Sequence, residues 1–179
     1  ALNAYLTTPG TKGVGMSIMA SPRCVIEGYL VKGWTDTAVE FDTSQTTLRD
    51  MLIDCAYETS LDAITGWGVQ SFNSQFPGDF LGRYTTGPNR NEFDNVMVMR
   101  AFGPGWRMGT QSSADFVNCG AIGCQYGYLQ AWSAGAATTL FPSSGPQPSR
   151  KNRIIGGEWS YNEIDGIRLT DGQDTLVDG

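Results

Sequence analysis

The sequence predicts a mainly β fold: an antiparallel sandwich, jelly roll or barrel of about eight to ten short strands, with one α-helix near residues 45–57. Composition is the first ground for this. Glycine fills 23 of 179 positions, and 5 Trp, 7 Tyr and 8 Phe accompany it. Charged residues are only 17% of the chain, against about 25% in an average soluble protein. The second ground is patterning, because short alternating runs recur between Gly and Pro turn clusters.

Taken in order, "GVGMSIMASP" (13–22) alternates and ends at Pro22. "CVIEGYLVKGW" (24–34) and "TAVEFD" (37–42) follow as β-rich runs separated by a turn-like cluster. In "TSQTTLRDMLIDCAYE" (43–58), Leu48, Met51, Leu52 and Cys55 recur at helical spacing, and Thr47 with Asp50 resembles a capping box. That segment predicts the helix. Short strands are expected around 67–72 and 79–85 in the turn-rich stretch 60–93. "EFDNVMVMRAFGPGW" (92–106) is the clearest strand. Strict alternation would put Phe93, Asn95, Met97 and Met99 on one face, with Asp94, Val96 and Val98 on the other. "VNCGAIGC" (117–124) reads as a tight glycine-rich turn before a strand in 122–132. The last strands are expected in 153–161 and 163–169.

The length suits one domain over 1–179. It carries a flexible Pro/Ser/Gly loop near 142–152 and an acidic tail, 170–179, loose unless docked. Trp34, Trp67, Trp106, Trp132 and Trp159 follow no constant interval, which argues against a propeller or solenoid repeat.

Several function classes are disfavoured. The net charge of −6 and a sequence pI of about 4.5 speak against nucleic acid as the main partner. With no histidine, the usual triads and histidine metal sites cannot be built from this chain. No apolar run is long enough for a transmembrane helix. The start at Ala1 and not Met is read as removal of a leader or as numbering from a processing point. No cofactor or metal site is expected: Asp171, Asp174 and Asp178 do not have EF-hand spacing.

The candidate residues are few. Glu27 and Glu40 lie in predicted strands, where two carboxylates on neighbouring strands can form a glycosidase pair. Trp34, Trp67 and Trp106 each follow glycine and serve as candidate ligand-binding or interface residues. Cys119 and Cys124 can form a local disulfide across a glycine-rich turn, with free thiols as the simpler alternative. No convincing catalytic constellation is present. The sequence is therefore read as a structural, self-assembling subunit of a virion, tail-like tube or extracellular filament. Its partners would be other copies or other assembly subunits. The alternative is a secreted carbohydrate-binding or glycoside-hydrolysing β domain.

Overall fold

A computed structural model describes residues 14–19, 23–32, 37–42, 45–55, 67–71, 90–108, 113–130, 151–170 and 174–179. Fourteen strands are described. Six form one sheet: β1 (Val14–Met19), β4 (Thr37–Asp42), β6 (Trp67–Ser71), β8 (Pro104–Met108), β11 (Tyr126–Gln130) and β13 (Asp165–Leu169). Eight form the other: β2 (Val25–Glu27), β3 (Leu30–Lys32), β5 (Thr47–Asp54), β7 (Glu92–Met99), β9 (Asp115–Val117), β10 (Gly120–Ile122), β12 (Arg153–Ile155) and β14 (Leu176–Asp178).

Every pairing is parallel. This overturns the antiparallel sandwich, jelly roll or barrel. The chain alternates between the two sheets and returns to each in the same direction, so among the described residues successive coils stack into a parallel β-solenoid of six coils. The rejection of a solenoid on tryptophan spacing is corrected with it. Tryptophans occupy different positions in different coils, whereas the corners repeat.

Left-handed corner residues carry that repeat. Arg23, Gln45, Arg90, Ser113, Lys151 and Asp174 all have positive φ, at intervals of 22, 45, 23, 38 and 23 residues. Gly28, Asp50, Asn95, Asn118 and Gly156 form a second column at the same intervals of 22, 45, 23 and 38. One coil is thus 22–23 residues, lengthened twice by insertions. Asn, Asp and Gly tolerate this backbone region best, and they fill the second column.

The same column explains the missing helix. Residues 47–54 are strand β5, and no helix occurs among the described residues. Asp50 turns the strand at φ 52°. Inward positions Leu48 and Met51 then fall three apart, imitating a helical stripe, while Leu52 points outward and Ile53 inward. Asn95 does the same in β7, so Phe93, Val96 and Val98 share the core and Asn95 and Met97 do not. At Asn118 the turn separates β9 from β10, where a simple glycine-rich turn was expected.

The core lies between the sheets as stacked columns. Ile26, Leu48, Phe93, Phe116 and Ile154 are in register on one side, and the exposed Val177 continues the column on the last coil. Val39, Val69, Trp106, Tyr128 and Ile167 are in register on the other. The Phe93 and Phe116 rings stack 4.7 Å apart, and Trp106 meets both edge-on at 5.3 and 5.4 Å. Buried amides stitch one corner: Asn91 Oδ1 accepts the Thr46 N–H at 2.9 Å, and Asn152 Oδ1 accepts the Ala114 N–H at 3.1 Å. Such bonds continue the backbone ladder where the coil turns.

Glycine has a steric task here. Gly68, Gly105, Gly127 and Gly166 hold equivalent positions on successive coils. A Cβ on Gly68, Gly105 or Gly127 would come within 3.0 Å or less of the next carbonyl in the column. The tail docks: β14 pairs with β12 as the last strand of the larger sheet. The loop expected near 142–152 falls outside the described residues except for Lys151 and Asn152, which form part of a corner.

Candidate functional site

Two outer faces carry side chains beyond what the core needs. The first belongs to β3, β5, β7 and β10. Inward positions Val31, Ile53, Val98 and Ala121 are buried. The outward column beside them reads Leu30, Leu52, Met97, and the next reads Lys32, Asp54, Met99, Ile122. Five of those seven outward side chains are apolar, and Leu52 is 40% exposed. Its border holds charges of both signs: Arg49 Nε lies 2.6 Å from Glu27 Oε2, and Arg100 forks onto Asp54 at 3.1 and 2.5 Å.

The second face belongs to the six-stranded sheet. Ser17, Glu40, Gln70, Arg107, Leu129 and Arg168 form one outward column across six coils. At about 4.8 Å per strand it spans roughly 24 Å. The Arg107 guanidinium lies 4.2 Å over the Trp67 ring. Burial lowers the pKa of Arg107, because desolvation disfavours the cation. Among the described residues no carboxylate pairs with it. Arg168 is placed differently: it lies near Asp165 at 3.6 Å and over Tyr126. A corner pocket of about 400 Å³ is lined by Arg23, Gln45, Thr47, Arg90 and Glu92.

Glu27 and Glu40 are not brought together on neighbouring strands. Glu27 is in β2 of the larger sheet, engaged by Arg49. Glu40 is in β4 of the smaller sheet, accepting from Ser17 Oγ at 2.8 Å. Trp67 is half-buried on the outer face. Trp106 is 0% exposed and donates its Nε1–H to the Gly120 carbonyl at 2.9 Å, so its ring offers no surface. Trp34 lies outside the described residues. Arg107 escaped notice in the sequence because only the stacked register places it beside Trp67. Among the described residues no group of three or more His, Cys, Asp or Glu side chains is set to hold a metal. No helix among them is long and apolar enough to cross a membrane.

All four cysteines are free thiols, so the Cys119–Cys124 staple is not formed. Gly120, Ala121 and Ile122 of β10 and Gly123 lie between the two. Burial pushes the Cys119 thiol up to about 12 and Cys124 to about 11, from an ordinary 9.0, and raises Cys55 as well. The sign follows from linkage. A thiol whose folded pKa is raised contributes stability that is full below about pH 9 and is lost as pH rises toward the folded value. The melting temperature is therefore expected to fall progressively above about pH 9. A Cys119→Ala chain should show a flatter decline. An unchanged slope in that variant would refute the assignment.

Comparison with protein families, curated proteins and solved structures finds no match for this chain.

Proposed function

We propose that this chain is a structural, self-assembling subunit of a larger particle or extracellular assembly, such as a virion, a tail-like tube or a filament. The observation that carries the reading is the apolar outer face of β3, β5, β7 and β10. Leu30, Leu52, Met97, Met99 and Ile122 face away from a core that Val31, Ile53, Val98 and Ala121 already fill. A stacked solenoid presents such a face as a flat, rigid strip, so covering it loses little conformational entropy. Methionine is enriched at interfaces. Mixed charges at the border suit a second copy, since an isologous contact must meet its own charges.

Sedimentation across a concentration series, with negative-stain imaging, tests this. Rings, tubes, shells or filaments are the expected result. The Leu52→Lys, Met97→Lys double variant should melt near the parent temperature and stay monomeric. A parent chain that remains a monomer throughout would overturn the reading. The glycoside-hydrolysing alternative has lost its motive, because Glu27 and Glu40 sit on different sheets with separate partners.

A further inference from the structure

Among the described arginines, Arg107 is the one that is not exposed. It is half-buried, lies over Trp67, and meets no carboxylate among the described residues. Four exposed arginines each reach one, Arg49 with Glu27, Arg100 with Asp54, Arg153 with Asp115 and Arg168 with Asp165, while the exposed corner residues Arg23 and Arg90 have none among the described residues. A desolvated guanidinium keeps planar donors that favour a carboxylate. Its neighbours in the column are Gln70 on one coil and Leu129 on the other. Thr37 Oγ1 donates to Gln70 Oε1 at 3.4 Å, which leaves the Gln70 amide N–H groups to donate outward.

The column is straight and spans roughly 24 Å by strand spacing, which suits an extended chain. An indole beside a guanidinium suits a sugar ring that bears an acid.

We infer that the outer face of the six-stranded sheet binds a carboxylate-bearing glycan chain, with Arg107 receiving the carboxylate, Trp67 stacking a sugar ring and Gln70 donating to its oxygens. The site is separate from the apolar face assigned to assembly, so the two readings fail independently.

The probe is hexagalacturonate, with maltohexaose as the neutral glycan, in calorimetry and tryptophan fluorescence at low salt. Hexagalacturonate should bind and maltohexaose should bind at least about tenfold more weakly, the worth of a charge-assisted contact. Added salt should weaken the acidic ligand. Arg107→Gln removes the cation. Leu129→Glu keeps Arg107 and sets a carboxylate beside it on the adjacent coil. With melting temperature confirming the fold, both variants should lower affinity by at least about tenfold. Equal binding of the neutral chain, no binding of hexagalacturonate at millimolar concentration, or full affinity in either variant would overturn the assignment.

Discussion

Replacing Gly157 by alanine is expected to lower the melting temperature by roughly 6–12 °C, because two costs fall on one residue. Gly157 has φ +95°, and a Cβ there would overlap the carbonyl of Cys119, a backbone group that cannot swing aside. The left-handed conformation alone costs about 1–2 kcal/mol for a residue with a side chain. Overpacking against fixed atoms adds about 1–3 kcal/mol. Their combined value, about 3 kcal/mol, converts at about 2–4 °C per kcal/mol for a chain of this size. Gly28 supplies the control. It too has positive φ, at +71°, yet a Cβ added there would meet nothing within 4 Å. Gly28→Ala should therefore incur only the backbone cost. Gly28→Asn should be nearly silent, since Asn95 and Asn118 occupy the same column on other coils. Thermal melts of the three variants decide the matter. If Gly157→Ala and Gly28→Ala melt together, close approach is not what requires glycine at 157.

Positions such as Gly28 are part of a pattern that the sequence discloses only in pieces. The β class and most strands are legible: alternation places β1 and part of β11, a β-rich run places β4, a short strand is expected at β6, and β7 lies wholly within the run at 92–106. Coil stacking is hidden by two insertions, which stretch the intervals from 22–23 residues to 45 and 38. A signal does exist in the inward pattern around the left-handed column. "VIEGYLV", "TLRDMLI", "EFDNVMV" and "DFVNCGA" all place an apolar residue second and a Gly, Asp or Asn fourth. A further series, "WGVQS", "PGWRM", "YGYLQ" and "DGIRL", places glycine second and an apolar residue third. Aligning those short blocks would have revealed the solenoid, and with it the strand character of 47–54. Helical spacing misleads there because it assumes an unbroken backbone phase, and Asp50 resets the phase within the strand. For the Arg107–Trp67 pair no local pattern suffices. The two residues are 40 positions apart, and only β6–β8 pairing puts them side by side.

Trp106 separates a core role from a surface role by the size of its effect. Its ring meets the stacked Phe93 and Phe116 rings of the opposite sheet edge-on, and its indole N–H reaches the Gly120 carbonyl. Truncation to alanine removes the largest side chain of the central column and opens a cavity among stacked aromatic rings. Such changes cost about 3–5 kcal/mol, which corresponds to a fall of roughly 6–20 °C in melting temperature. Trp106→Phe keeps most of the apolar contact but leaves the Gly120 carbonyl without its donor, a loss of about 1–3 kcal/mol. The two variants should therefore fall in order, alanine well below phenylalanine, and both below the parent. A surface platform would behave otherwise: truncation would leave the melt in place and abolish only binding. Trp67 is expected to follow that second pattern, because it is partly exposed and its ring packs against the Arg107 side chain on the outer face. Melting both alanine variants beside hexagalacturonate titrations would distinguish the roles. An unchanged melt for Trp106→Ala would mean that the aromatic column does not hold the coils together.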